Sequence, residues 1–156
     1  MTAIFACVCD GTPEHELWKL QALGVVCLAW EVDELWYVDA TAAKGGPLGP
    51  VQFHERRLKA RQVESLAAAL DDAKDLRPVV VEGPMKQRAD AKELRGYVHP
   101  ADALYLFGSD RGAGLWPALA KVEADWLMIP ARRGVYGFLA AAVVAQHRAM
   151  QANRLR

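Results

Sequence analysis

The sequence predicts an α/β fold, in which a mostly parallel sheet carries helices on both faces. Short apolar runs rich in strand-forming residues recur along the chain, and segments with helical periodicity separate them. Strands that are apolar on both faces are typical of parallel sheets, because helices cover both sides of such sheets. The length of 156 residues fits a single domain spanning residues 1–156.

The first half of the chain begins with a strand followed by a helix. An apolar run at residues 2–9 predicts the strand. Thr12 before Pro13 is typical of a helix start, because threonine caps free amides and proline fits the first turn. Residues 35–38 predict a second buried strand, and residues 61–74 predict an amphipathic helix.

The second half adds three strands and three helical segments in alternation. The strands are predicted at residues 79–81, 103–107 and 125–129, and the helical segments at residues 89–96, 116–122 and 138–151. Glycine and proline follow each of these strands or lie close beyond it, and they mark the loops.

Composition excludes several classes of protein. Hydrophobic residues make up 53% and charged residues 24%, which fits a globular chain. The longest apolar run, at residues 139–145, is far shorter than the roughly 20 residues that span a bilayer, and residues 1–10 do not have the pattern of a signal peptide. We interpret Cys7, Cys9 and Cys27 as buried thiols of a protein in the reducing cytoplasm. The shortness of the apolar runs leads us to expect no membrane partner. No histidine, cysteine or acidic residues have metal-ligand spacing, so we also expect no metal.

Charge is balanced overall but unevenly distributed. The chain has 19 basic and 19 acidic residues. Basic residues cluster at positions 56–61 and at Arg132 and Arg133. Taken alone, such clusters indicate a solvated surface, but a zero net charge does not exclude a nucleic-acid partner, because distribution matters more than the sum.

Three strand ends in the second half are candidates for a ligand site. They are residues 82–84, 108–114 and 130–137, which are rich in glycine and proline. Ligands of open α/β sheets bind beyond the carboxyl ends of the strands, and glycine allows close approach to the backbone. The glycine spacing in 108–114 matches neither a P-loop nor the dinucleotide-binding fingerprint, so a simple tight turn remains an alternative.

The last third of the chain has a distinctive order of strand ends. A strand at residues 103–107 leads into a glycine-rich segment that reaches residue 115, the next strand ends in Ile129-Pro130, and an alanine-rich helix starts at Gly137. This order resembles the SpoU/TrmH branch of the SPOUT RNA methyltransferases, in which one strand ends in Phe-Gly-x-Glu-x-x-Gly-Leu, the next ends in Ile-Pro, and an alanine-rich helix follows. Residues 29–39 are similar to the family's Ala-Phe-Gly-Val-Asp passage into the second strand. The resemblance covers roughly residues 12–150 and is most specific at residues 103–130.

The resemblance implies a fold, a cofactor and partners. The C-terminal segment would form a deep trefoil knot, one of the rare exceptions to the rule against knots. S-adenosyl-L-methionine (AdoMet) would bind in the knot, and a homodimer would bind tRNA or rRNA and methylate a ribose 2′-hydroxyl. The residues that the resemblance implies for cofactor binding are Glu82, Gly83, Phe107, Gly108, Ser109, Ile129, Pro130, Ala131, Gly137, Phe138 and Leu139.

The chain departs from the family in its chemical residues. The family's first motif, Asn-x-Gly-x-x-x-Arg, falls on Lys19, Gln21 and Val25, so its arginine is absent. A ribose hydroxyl has a pKa far above neutral and requires a positioned base or cation. We therefore expect catalytic roles for charged and hydroxyl-bearing residues of the ligand loops, namely Asp110, Arg111, Arg132 and Tyr136. Further arginines that could replace the absent one are Arg56, Arg57 and Arg133.

Two other functions remain open from the sequence. One is a catalytically inactive knotted relative that binds RNA or cofactor without methylating, which the absent arginine favours. The other is an unrelated α/β enzyme or binding module that uses a glycine-rich loop.

Overall fold

Strand-forming apolar segments and capped helices alternate along the chain, as the periodicity predicts. The computed structural model describes residues 1–82, 88–108, 115–132 and 137–154. The strands in these ranges are β1 (Ala3–Cys9), β2 (Glu34–Asp39), β3 (Ala60–Val63), β4 (Arg77–Glu82), β5 (Lys92–Glu93), β6 (Ala103–Phe107) and β7 (Asp125–Met128). The helices are α1 (Pro13–Ala29), α2 (Leu66–Asp72), α3 (Trp116–Leu119) and α4 (Gly137–Arg154).

The described strands form one seven-stranded sheet in the order β3-β2-β1-β6-β4-β7-β5. Every neighbouring pair is parallel, so the prediction of a parallel α/β sheet is confirmed. Because all strands run the same way, the carboxyl ends of β1, β6, β4 and β7 lie side by side at one edge. We call this the carboxyl edge, and the opposite edge the amino edge.

Both faces of the sheet are buried. Along β6, Tyr105 and Phe107 point into one core and Leu104 and Leu106 into the other, as alternation along a strand requires. The first core also contains residues of α1 and α4, and the second contains residues of α2 and α3. None of the described helices has the length and apolar character needed to cross a membrane.

Helix α1 begins and ends at defined caps. The Thr12 hydroxyl accepts a hydrogen bond from the backbone amide of His15 (3.4 Å), and Pro13 occupies the first turn, as predicted. After the helix, the amide of Val32 donates to the carbonyl of Cys27 (2.8 Å), which is the Schellman arrangement. The residue that makes this turn is Glu31, with φ of 54°. A side chain is strained in this left-handed region, which favours glycine.

We therefore expect Glu31→Gly to raise the free energy of unfolding by about 0.5–1 kcal/mol, because glycine removes the left-handed strain. Urea denaturation of the two proteins measures the difference. Glu31→Ala is the matched control, since alanine removes the carboxylate but keeps the Cβ atom. If alanine stabilises the protein as much as glycine does, the strain at Glu31 is not the cause.

Two predicted elements differ from the structure. Residues 61–74 do not form one helix, because Ala60–Val63 pairs with β2 as an edge strand and α2 begins only after Ser65. The Ser65 hydroxyl accepts from the amide of Ala68 (3.1 Å), so the serine interrupts the apparent helical period as a cap. Residues 89–96, predicted as a helical turn, contain β5 followed by one 3-10 turn, Leu94–Gly96.

Candidate functional site

Three segments that are far apart in sequence meet at the carboxyl edge. Glu82 ends β4, Phe107 and Gly108 end β6, and Ile129 follows β7. The amide of Ile129 donates to the carbonyl of Glu82 (3.3 Å), which joins the ends of two neighbouring strands. The parallel sheet thus brings together residues that the sequence assigned to one cofactor site.

Glu82 anchors the far end of the glycine-rich loop. Its side chain is only 9% exposed, and its Oε1 atom accepts a hydrogen bond from the buried amide of Leu115 (2.7 Å). Leu115 is the first described residue after the loop, and Gly108 is the last one before it. A buried carboxylate that accepts a backbone N–H is a strong, charge-assisted contact. Glu82 therefore fixes one end of the loop relative to β4.

The predicted cofactor residues at the ends of β6 and β7 differ in exposure. Phe107 and Ile129 bury their side chains in the core, so only their backbone groups face a ligand at this edge. Pro130, Ala131 and Arg132 are exposed. A ligand at this edge would therefore meet main-chain groups rather than a row of polar side chains.

The start of α4 adds an aromatic surface that the sequence did not indicate. Phe138 is partly buried, and its ring meets the indole of Trp18 edge-on, with 4.9 Å between ring centroids. Trp18 is 55% exposed, and Leu139 is also exposed. Positions 18 and 138 are far apart in the sequence, so the sequence does not indicate this pairing. The two rings meet because α1 packs against α4.

Several predicted site residues lie outside the described residues. They are Gly83, Ser109, Asp110, Arg111, Arg133 and Tyr136. The C-terminal knot stays a prediction, since residues 83–87, 109–114 and 133–136 lie outside the described ranges.

The position of the family's first motif is occupied by a buried ion pair. Lys19 and Glu16 are each about 1% exposed, and Lys19 Nζ lies 2.5 Å from Glu16 Oε2. Lys19 also donates to the carbonyl of Val8 (3.2 Å), and Glu16 Oε1 accepts from the amide of Gly11 (3.1 Å). Burial opposes the charge on Lys19, but the Cys7 thiol and the Glu16 carboxylate outweigh it and raise the pKa of Lys19.

The neighbouring thiols and the rest of the first motif do not supply a base. The hydrogen bond with Cys7, followed by burial, raises the pKa of the Cys9 thiol, and burial raises the pKa of Cys27 to about 12. The Gln21 side chain holds the backbone of the 40–59 loop through the carbonyl of Gln52 (2.8 Å) and the amide of His54 (3.0 Å). Lys19, Gln21 and the exposed Val25 therefore do not provide a reactive cation on α1.

The sequence matches no protein-family model and no curated protein. Solved structures do match it. AviRb, a SpoU methyltransferase from Streptomyces viridochromogenes, aligns with a TM-score of 0.75 over 99% of this chain and 61% of AviRb, at 13% identity. The A. aeolicus TrmH/SpoU tRNA modifying enzyme aligns with a TM-score of 0.73 over 99% of this chain and 76% of that protein, at 14% identity.

The chain has the SpoU/TrmH fold. A further match, to a protein studied for the 2-OH methylation of C/U34 on tRNA, covers 98% of both chains with a TM-score of 0.66 and 17% identity. AviRb has also been solved with AdoMet bound. The resemblance seen in the sequence is thus confirmed for the fold, although the chain spans only about three fifths of the length of AviRb.

Within this SpoU/TrmH fold, the basic residues at 56–61 separate into two groups. The Arg61 guanidinium lies over the Trp36 ring, 3.9 Å from its centroid, and donates to Asp72 (2.7 Å), so contacts within the protein fix its orientation although it is exposed. Arg56 and Arg57 are exposed in the loop that enters β3 beside Lys59. The carbonyl of Lys59 accepts from the amide of Leu35 at the start of β2 (2.9 Å), which places this loop end at the amino edge.

A histidine pair links α4 to the segment before β6. His99 contacts the Tyr105 hydroxyl through Nδ1 (2.8 Å) and His147 Nδ1 through Nε2 (2.9 Å). Its backbone amide donates to Gln151 (3.1 Å). The sequence shows these histidines as isolated residues, because the two that pair are 48 positions apart. Burial, followed by the charges of His147 and Arg148, lowers the pKa of His99 to about 3.

This histidine predicts a loss of stability in acid. The ordinary histidine pKa of 6.5 applies to the unfolded chain, whereas folded His99 titrates near 3. Between these values the unfolded chain binds more protons, so the free energy of unfolding falls as the pH falls. We expect His99 to account for a loss of about 2 kcal/mol by about pH 4.

Urea denaturation at a series of pH values measures this loss. The matched control is His99→Asn, which cannot titrate in this range. The variant is expected to be less stable than the wild type at neutral pH but to lose less stability on acidification. Equal pH slopes for the two proteins would assign the acid sensitivity to other groups.

Proposed function

We propose that the protein transfers a methyl group from AdoMet to a ribose 2′-hydroxyl of tRNA or rRNA. The observation that carries this proposal is the convergence of Glu82, Gly108 and Ile129 at the carboxyl edge of a SpoU/TrmH fold. A tRNA modifying enzyme and the SpoU methyltransferase AviRb have the same fold, and AviRb was also solved with AdoMet. The match of nearly equal length concerns 2-OH methylation of tRNA.

The residues at the carboxyl edge fit AdoMet. We propose that backbone groups of Phe107, Gly108, Ile129 and Ala131, with Pro130 and the start of α4 at Gly137, Phe138 and Leu139, would hold the adenosine portion. The exposed backbone after β7 and the glycine at the end of β6 suit a ligand bound through main-chain groups. Glu82 would hold the glycine-rich loop, with Gly83 and Ser109 beside it. We also propose that the chain forms the family's C-terminal trefoil knot around this site.

The chain itself must activate the hydroxyl. Bound AdoMet supplies an electrophilic methyl group, so the protein contributes position and charge. We propose that Arg132, which is exposed four residues after the end of β7, lowers the pKa of the ribose hydroxyl together with Arg111. Asp110 would accept the hydroxyl proton, and Tyr136 would orient the ribose. Arg56 and Arg57 do not fit this role within one protomer, because their loop enters β3 at the amino edge.

We further propose that the protein acts as a homodimer. Trp18, Val25 and Leu28 are exposed on α1, and Val143 is exposed on α4, which packs against α1. Apolar side chains exposed together on adjacent helices indicate an interface. In a dimer, this surface would be removed from water and RNA would contact both protomers.

Val143→Asp is therefore expected to shift the protein from dimer to monomer, because the interface would bury a charge without a partner. Light scattering after gel filtration measures the mass. Ala67→Asp is the matched control, since Ala67 is exposed on α2, which packs on the opposite face of the sheet from α1 and α4. A monomeric wild type, or a dimeric Val143→Asp protein, would contradict this interface.

A non-methylating relative is the second candidate, and one observation favours it. The only cation at the first-motif positions, Lys19, is buried in an ion pair and cannot reach a substrate. Such a protein would bind RNA or AdoMet through the same surfaces without transferring the methyl group.

Two measurements separate these functions. Calorimetric titration with AdoMet and S-adenosylhomocysteine tests the cofactor site, and transfer of a labelled methyl group to unmodified tRNA and rRNA, followed by nucleoside analysis, tests the reaction. We expect binding of both ligands and a 2′-O-methylated nucleoside. Arg132→Ala is expected to lose transfer while keeping AdoMet affinity. Binding without transfer supports the second candidate. Absence of AdoMet binding rejects the methyltransferase and leaves only the form of the second candidate that binds RNA.

A further inference from the structure

A second cleft lies at the amino edge of the sheet, away from the proposed cofactor site. Its volume is about 510 Å³, and Trp30, Glu31, Asp33, Arg148 and Asn153 line it. Arg148 is eleven residues beyond Gly137, which is about 16 Å along a helix, so α4 separates the two sites. Clefts of this size hold small organic ligands.

The cleft contains a buried cation that has no acidic partner among the described residues. Arg148 is only 8% exposed. Its guanidinium donates to the carbonyl of Ala101 (3.5 Å) and lies beside the Tyr105 hydroxyl, and both of these oxygens are neutral. None of the ion pairs formed within the described residues includes Arg148. A buried guanidinium without a carboxylate is costly, so an anionic group in the cleft would stabilise it.

The mouth of the cleft carries the opposite charge. Glu31 and Asp33 are exposed there. The Glu31 side chain is placed by a backbone with φ of 54°, a conformation in which glycine would be more stable. Strained residues of this kind are concentrated at functional sites. Two carboxylates at the mouth repel polyanions such as RNA, and they attract an ammonium group.

We propose that this cleft binds a small zwitterion of the α-amino-acid class. Its carboxylate contacts the guanidinium of Arg148, and its ammonium group lies toward Glu31 and Asp33. The Trp30 indole contacts the ligand side chain, and the Asn153 amide donates or accepts a hydrogen bond at the cleft wall. This pairing places an anionic group at Arg148 and a cationic group near Glu31 and Asp33. The ammonium group of Met1, which also lines the cleft, is paired with Asp102 (3.7 Å).

Calorimetric titration of the full chain with each of the common L-α-amino acids tests the proposal. All titrations are made with saturating S-adenosylhomocysteine, so that binding at the carboxyl edge is excluded. We expect at least one amino acid to bind with a submillimolar Kd. The amine that lacks the carboxylate of this amino acid, and the carboxylic acid that lacks its ammonium group, are each expected to bind at least about tenfold more weakly. Inorganic phosphate is the probe for a simple anion site.

Three variants test whether the binding occurs in this cleft. Arg148→Gln is expected to abolish binding, but it also removes a buried side chain and can destabilise the fold. Glu31→Gly is expected to weaken binding at least about tenfold while making the protein more stable, so unfolding cannot explain its effect. Asn153→Ala is expected to have a smaller effect.

Three results would overturn the proposal. The first is that no amino acid binds at millimolar concentration. The second is that phosphate or the carboxylic acid binds as tightly as the amino acid and Glu31→Gly changes nothing, which would indicate a simple anion site. The third is that Arg148→Gln converts a dimer to a monomer, which would show that a second copy of the chain covers the cleft. Because Arg148 and Glu31 lie at the amino edge, their variants assign the binding to this cleft whether or not the carboxyl edge binds AdoMet or S-adenosylhomocysteine.

Discussion

Replacing Lys19 with alanine is expected to lower the free energy of unfolding by about 3–5 kcal/mol, the largest effect of any single substitution considered for this protein. Lys19 and Glu16 are both buried and lie beside each other on the first turns of α1. Removal of the lysine leaves the Glu16 carboxylate buried without a counter-ion, and a lone buried charge is far less stable than a paired one.

The double variant Glu16→Gln with Lys19→Met separates the charge from the packing. Glutamine keeps the oxygen that accepts from Gly11, and methionine keeps the length of the lysine side chain. Most of the lost stability should therefore return, because neither charge remains buried. Urea denaturation measures all three proteins, and Lys44→Ala, at an exposed position, is the matched control. A loss below about 1 kcal/mol for Lys19→Ala would show that Glu16 is solvated or protonated instead.

The second large effect is expected at Glu82, if the carboxyl edge binds AdoMet as proposed. Glu82→Leu removes the acceptor of the buried Leu115 amide and leaves that donor unsatisfied. We expect Leu115, where the glycine-rich loop ends, to lose this anchor, and AdoMet affinity to fall by about 100-fold, equivalent to about 2.7 kcal/mol. Calorimetric titration measures the change.

Glu82→Gln is the matched control for this prediction. Glutamine keeps an oxygen for the Leu115 amide but carries no charge, so we expect affinity to fall only a few-fold. A purely structural role would lower stability in Glu82→Leu without changing the affinity of the folded fraction. Denaturation curves of both variants, recorded beside the titrations, distinguish the two roles. Equal affinities in Glu82→Leu and the wild type would show that the loop does not depend on this contact.

The sequence was most informative where local chemistry decides structure. Apolar runs located β1, β4 and β6, and Thr12 with Pro13 located the start of α1. The prediction of one helix over residues 61–74 was wrong because the apolar side chain of Val63 fits a helical period and an edge strand equally well. Only pairing with Val38, a residue 25 positions earlier, decides between them.

Site features that depend on long-range packing were not visible in the sequence. Glu82 was predicted as a site residue because it ends an apolar strand, and the family resemblance assigned that strand end to the cofactor site. Lys19 could not be identified as buried, since a lysine on a helix is ordinarily exposed. Likewise, Arg148 and Glu31 line the same cleft because α4 ends at the amino edge, beside the end of α1.

The position of β6 has a consequence for how the chain reaches its folded state. This central strand pairs with β1 through Ala103 and Ala3, which are 100 positions apart, and it separates β1 from β4. During synthesis, β1 and β2 can pair early, but the sheet cannot close until residues 103–107 have emerged. Because distant pairings of this kind slow folding, we expect the completion of the sheet interior to limit the folding rate. Until then, the half-sheet formed by residues 1–63 exposes the unpaired backbone N–H and C=O groups of β1 along one edge.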